Sequence, residues 1–225
     1  MIDTTFDMRS DSNGLDPDSH SPTLKKYHQL LWSKKLPNGK ELILDDYLVN
    51  TTDACSYSFS SDSIIHSYSK WKRYQHIISQ IPKKEIEEFI AIGSTIGGYI
   101  IFPKDRIDGL NTINQERGTN NYICDRFDLT LECIRLFYLN QNSPLYDCLL
   151  RYKDFFDLFV DFKGYVEFFL LNDIVDDTFS KIDFFYRDES FKESPLPTSK
   201  EEYFDYRNKV IKFVNKRNKR IQIIR

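Results

Sequence analysis

Apolar positions along this chain recur in two rhythms, one helical and one strand-like, separated by polar stretches. Leu24, Tyr27 and Leu31 follow Ser21-Pro22, an N-cap with proline at the first helical position, and predict a helix from 22 to about 33. A cap-like cluster, Ser60-Ser61-Asp62-Ser63, leads into Ile64, Tyr68, Trp71, Ile78 and Ile81, which predict a second helix ended by Pro82. A short helix opens at Lys83-Lys84-Glu85 and runs to about residue 90. Gly97-Gly98, the run Tyr99 to Phe102 and Pro103 then read as a short buried strand. Residues 107–121 hold Gly109, Asn111, Asn114, Gly118, Asn120 and Asn121, and read as a long polar loop.

Asp125 is placed to cap the next helix, in which Phe127, Leu131, Ile134 and Tyr138 form the apolar stripe. A turn at 140–143 and Pro144 introduce a helix through Arg151. The aromatic segment 152–171 then carries Phe155, Phe159, Phe162 and Phe169 at helical spacing, with Gly164 as a break or a close packing point, and reads as buried helix. A strand is expected at 182–186. Ser199 with Glu202 fits a capping box for a last helix over 200–222, with Tyr203, Tyr206, Val210 and Phe213 inward. Short strands are expected within 41–59, and residues 1–20, with five aspartates, read as an extended acidic arm. The fold class expected is α+β: a mainly helical single domain with a small sheet that includes 99–102.

Composition narrows the function classes. A net charge of -3 over 225 residues argues against a protein that coats nucleic acid, and 15% aromatic content points to an aromatic core. Cys55, Cys124, Cys133 and Cys148 lack CxxC spacing, the start MIDTTFDMRSD has no secretory pattern, and no apolar run is long enough for a membrane span; a cytoplasmic setting without membrane contact is expected. Walker A, GxGxxG, GxSxG, HExxH and zinc-type spacings do not occur.

The candidate chemistry lies between 106 and 135. Arg106, Asn114 and Arg117 in the polar loop, with Arg135 on the following helix, suit an anionic ligand such as a nucleotide or nucleic acid; Asp128 and Glu132, four apart on that helix, suit acid/base work or a divalent metal. The function expected on this basis is a nucleotide- or nucleic-acid-processing enzyme. The competing explanation is an ion-pair network in which the arginines neutralise the carboxylates and pin the loop. A different class of function rests on the C-terminal helix. From Arg207 to Arg225 it carries Arg207, Lys209, Lys212, Lys216, Arg217, Lys219, Arg220 and Arg225 with no acid, as a nucleic-acid-binding or regulatory interaction protein would. His28, beside Tyr27 and Trp32, reads as a packed ring.

The order TIGGYIIFP, TINQERG and DRFDLTLECIRLFY, with FDMRSD and DPDSHSPTLKKYHQLLWSKKLPNG upstream and DFKGYVEFFLLNDIV downstream, resembles an uncharacterised bacterial family, a domain of unknown function. The resemblance covers nearly the whole chain and implies membership and a single-domain organisation; it brings no catalytic residue with it. A glycine-containing strand followed by Asn111, Asn114 and Arg117 also resembles part of the His-Asn-His nucleases, but His66 and His76 lack the strand-turn setting of the histidine pair such enzymes use.

Overall fold

In a computed structural model, which describes residues 1–187 and 191–223, the chain adopts the expected α+β class. The helices in chain order are α1 (Pro17–His20), α2 (Pro22–Trp32), α3 (Gln75–Ile78), α4 (Lys83–Gly93), α5 (Ile113–Thr119), α6 (Phe127–Tyr138), α7 (Tyr146–Arg151), α8 (Lys153–Asp157), α9 (Phe162–Phe168) and α10 (Lys200–Ile223). The strands β1 (Lys34–Lys35) and β2 (Glu41–Leu42) form one antiparallel pair; β3 (Phe59–Ser63) and β4 (Tyr99–Pro103) form another. No described helix is long and apolar enough to cross a membrane.

The β3–β4 pair sits at the centre. All of β4 is buried, which is why its sequence reads as a continuous apolar run. Its Pro103 lies opposite Phe59, whose own N–H goes outward to the Leu48 carbonyl at 2.9 Å, so the missing donor of proline costs the ladder nothing. β3 alternates: Phe59 and Ser61 are buried on one face, where Ser61 Oγ meets His28 Nε2 at 2.9 Å, while Ser60 and Asp62 turn towards α5. His28 also accepts from Trp32 Nε1 at 2.9 Å, which makes it the packed ring expected.

Around this pair lies an aromatic core. Phe159 is fully buried, with Phe155, Tyr165, Phe168 and Phe169 at ring-centroid distances of 5.1–5.2 Å. The long helix α10 packs against α4 and the turn Ile96–Gly98. The glycines there serve backbone approach: a Cβ on Gly98 would stand 1.9 Å from the Gly93 carbonyl oxygen, and one on Gly97 2.5 Å from Asn218 Oδ1.

Five local expectations are corrected. Residues 1–20 are no extended arm: Met8 is fully buried with its N–H on the Ser94 carbonyl at 2.9 Å, and the aspartates act as local acceptors, Asp11 taking Ser21 Oγ at 2.6 Å and Thr23 N–H at 3.0 Å. The Ser60–Ser63 cluster is strand, not a cap. Of the helix expected over 64–81 only α3 and the 3-10 turn Lys72–Tyr74 form, because Tyr68, at φ 57°, inserts among Trp71, Tyr74 and Tyr206 and donates to the Cys124 carbonyl at 2.9 Å. Segment 152–171 is buried but broken, with Val160 at φ 71° before Asp161 caps α9. Only a single bridge, Val175 to Ile182, stands where a strand over 182–186 was expected.

Candidate functional site

Residues 107–121 contain α5, fixed by a reciprocal capping box in which Thr112 and Gln115 each satisfy the other's backbone N–H. The long polar loop expected there is therefore interrupted by a capped helix. Asn114 and Arg117, three apart on α5, face Ser60 and Asp62, two apart on β3. Asn114 Nδ2 donates to Ser60 Oγ at 2.9 Å. Arg117 has no exposure and pairs with Asp62; it also donates to the Ser63 carbonyl at 3.1 Å, the Asp125 carbonyl at 2.9 Å and Thr130 Oγ1 at 3.2 Å. These two residues clamp a helix onto a strand.

The other candidates go elsewhere. Arg106 is exposed. Asp128, fully buried, pairs with Arg126, which also donates to the carbonyls of Pro195 at 3.0 Å and Tyr186 at 2.6 Å; Asp128 further accepts the Phe185 N–H at 2.8 Å. This pair anchors the chain that follows α9. Glu132 and Arg135 form a bidentate pair at 2.7 Å on each arm. Asp128 and Glu132 thus each have an arginine of their own, and neither shares a metal or a cleft with the other; among the described residues no group of three or more His, Cys, Asp or Glu is disposed to hold a metal ion. Asp125 lies outside α6, whose N-cap is Arg126.

Three arginines of the basic helix are spent in a similar way. Arg207 meets Glu85 and Glu88, both at 2.9 Å; Arg217, fully buried, donates to the carbonyls of Gly97, Tyr99 and Phe169; Arg220 pairs with Asp173. Arg225 lies outside the described residues.

The arrangement the structure does assemble is Asp62, His66, Arg117 and Asp125. Cys124 and Asp125, at φ 46° and 64°, are two successive left-handed residues other than glycine; backbone held this way is strained and persists where its surroundings over-determine it. Here Arg117 supplies the constraint from both its backbone carbonyl, 2.9 Å from the Asp125 N–H, and its side chain. The result aims Asp125 Oδ1 at Arg117 Nε, 3.5 Å away, and Oδ2 at His66 Nε2, 3.7 Å away.

Two negative groups share one guanidinium. Burial weakens Arg117's hold on its proton, but Asp62 and Asp125 more than reverse this, so it stays charged. Asp62, with 22% of its side chain exposed, is pushed up to about 6 by burial, with Asp125 adding to the effect and Arg117 opposing it. His66 is held below its ordinary range by burial, against the pull of Asp125. Its tautomer follows from geometry: Tyr68 N–H donates to Nδ1 at 3.0 Å, so the neutral ring carries its proton on Nε2. His66 also lines a cleft of about 410 Å³, together with the apolar Ile65, Ile90 and Gly93, the hydroxyls of Ser63, Ser67, Ser69 and Ser94, and the charged Lys70 and Asp16. Sequence reasoning missed this site because Asp62 and Arg117 are 55 residues apart and Ser60–Ser63 reads locally as a cap; the one available signal was the Thr112–Gln115 capping box that reveals α5.

A family model described as a family of unknown function, DUF6994, matches residues 2–221. The chain belongs to that family. No curated protein and no solved structure matches it. The matched span takes in β3, α5, Asp125 and α10 to residue 221, so the DUF6994 region contains the whole His66 cluster.

Proposed function

We propose that the protein is an enzyme acting on a nucleotide-class substrate in the His66 cleft. One observation carries this reading: His66 belongs both to the wall of an open cleft and to a strained, over-determined charge cluster, so that a neutral imidazole at the cleft wall is backed by the Asp125 carboxylate 3.7 Å away. The apolar lining suits a base, the serine hydroxyls suit ribose, and Lys70 suits a phosphate. In the proposed chemistry His66 donates Nε2–H to a substrate oxygen and polarises it without being charged itself. Asp125, 24% exposed and 3.7 Å from His66 Nε2, supports the ring from the side of the cluster, where Arg117 holds it together with Asp62. In this reading the catalytic role passes from Asp128 and Glu132 to His66. The competing reading, an interaction protein built on the C-terminal helix, loses Arg207, Arg217 and Arg220, which are committed to partners within the fold, and would rest on the exposed Lys212 and Lys219.

A thermal-shift panel of nucleosides and nucleotides tests the reading on wild type, His66→Gln and Asp125→Asn. Ligand at about one hundred times its Kd stabilises by about 2.7 kcal/mol. A member of the panel is expected to raise the wild-type Tm and to lose most of that effect in both variants. If none shifts the wild type, or if the variants respond equally, the reading is wrong.

A further inference from the structure

Of the run Lys70-Trp71-Lys72-Arg73, Lys70 lines the His66 cleft, while Arg73 lines a second and larger one of about 560 Å³, together with Tyr122, Cys124 and the loop from Lys192 to Thr198. Two connections join the clefts. The Trp71 ring centroid lies 5.1 Å from that of His66 and 4.5 Å from the Arg73 guanidinium carbon, so a single half-buried indole separates these two groups. On the backbone side, Cys124 lines the larger cleft and the next residue, Asp125, backs His66 at 3.7 Å. Tyr68 ties both together, donating its N–H to His66 Nδ1 at 3.0 Å and its hydroxyl to the Cys124 carbonyl at 2.9 Å.

Arg73 is exposed and brings a fixed charge to the larger cleft. Among the described residues its hydrogen-bond partners are the Asn121 amide oxygen and the Cys124 sulfur, both at 3.3 Å. Neither is charged, since burial holds the Cys124 thiol above its ordinary range. Trp71 supports the guanidinium through its ring and leaves the charge in place. Tyr122, 56% exposed, presents an aromatic ring in the same cleft. Of the acids in the two walls, Asp16 and Glu193, the second is held by Arg187 at 2.5 Å.

We infer that the two clefts form one track for a single-stranded oligonucleotide, in which one nucleotide occupies the His66 cleft, Arg73 takes the next phosphate and the following base stacks on Tyr122. The inference rests on the nucleotide reading of the His66 cleft and extends it from a nucleotide to a strand. The order of groups selects this occupant: the cations Lys70 and Arg73 are interleaved with the aromatic rings of Trp71 and Tyr122, as phosphates are with bases along a strand. An acidic peptide would match the cations and leave the rings without a partner. A duplex would keep its bases stacked on one another and out of both clefts.

Fluorescence anisotropy with a fluorescein-labelled RNA tetranucleotide of randomised sequence tests this, with the four nucleoside monophosphates as competitors. Wild type is expected to bind the tetranucleotide at least about tenfold more tightly than any monophosphate, the gain from a further stack and a further phosphate contact. Arg73→Ala is expected to lose that gain and to flatten the slope of log Kd against log salt by about 0.7, whereas Tyr122→Ala should lose most of the gain with the slope unchanged. His66→Gln should weaken both probes. Binding of monophosphates with no gain from length would keep the His66 reading and overturn the track, as would a gain that survives both Arg73→Ala and Tyr122→Ala. A tetranucleotide held as tightly by His66→Gln as by wild type, a tetraglutamate peptide that competes as well as unlabelled tetranucleotide, or no binding of the tetranucleotide would also overturn it.

Discussion

Replacing Arg117 by alanine separates a structural arginine from a ligand-gripping one more sharply than any other single change. In the folded chain its side chain has no exposure, pairs with Asp62 and lies 3.5 Å from Asp125, and it donates to the carbonyls of Ser63 and Asp125 and to Thr130 Oγ1. Removing it leaves two carboxylates facing each other without their cation. Breaking a buried pair from one side costs about 3–5 kcal/mol, and we expect about 4 kcal/mol here, since the orphaned carbonyls add to the charge effect while Asp62 and Asp125 relax towards water. For a domain of this size that corresponds to a fall in Tm of about 8–16 °C.

The pH dependence supplies a second, independent signature. A carboxyl whose folded pKa lies above its unfolded value binds more protons in the native state, so stability falls as pH rises between the two values. Asp62 is already raised to about 6 in the wild type, and without Arg117 its window extends upward. The deficit of Arg117→Ala should therefore be larger at pH 8 than at pH 5 in urea denaturation. A loss below about 1 kcal/mol, or a deficit independent of pH, would refute the reasoning and return Arg117 to the role of a ligand-binding residue.

Phe159→Ala removes a ring enclosed by four others and is expected to cost about 3–5 kcal/mol in a chemical melt; a loss under about 1 kcal/mol would place the ring outside the core. Asp128→Ala leaves Arg126 uncompensated and is expected to cost about 3–5 kcal/mol while preserving whatever Tm shift a ligand produces in the wild type, whereas loss of that shift without loss of stability would make Asp128 a site residue after all.

Local signals were enough for several elements. α2 announces itself through Ser21, whose Oγ accepts the Leu24 N–H at 3.0 Å, and Pro22; β4 through an apolar run closed by proline; the start of α10 through Ser199 and Glu202, although the Glu202 carboxylate reaches the Thr198 N–H at 2.7 Å rather than that of Ser199. Each depends on residues within a few positions of one another, so its physics is written in a short window. The burial of 152–171 was legible for the same reason, but its breaks at Val160 and Asp161 were not, because aromatic periodicity reports a face and not continuity.

The site was decided by tertiary structure. Nothing local makes Phe-Ser-Ser-Asp-Ser a strand: it is one because β4 supplies its ladder, His28 and Asn114 satisfy two of its hydroxyls, and Arg117 comes 55 residues later in sequence to neutralise Asp62. The acidic N-terminal residues read as a solvated arm because aspartates favour water in isolation, yet here the Ser61, Thr23 and Arg9 N–H groups take their place as partners. Charged residues in a sequence state what must be compensated. Which distant group compensates them, and hence whether Arg117 meets a ligand or Asp62, is set only when the chain closes, because a buried ion pair has no signature shorter than the distance between its partners.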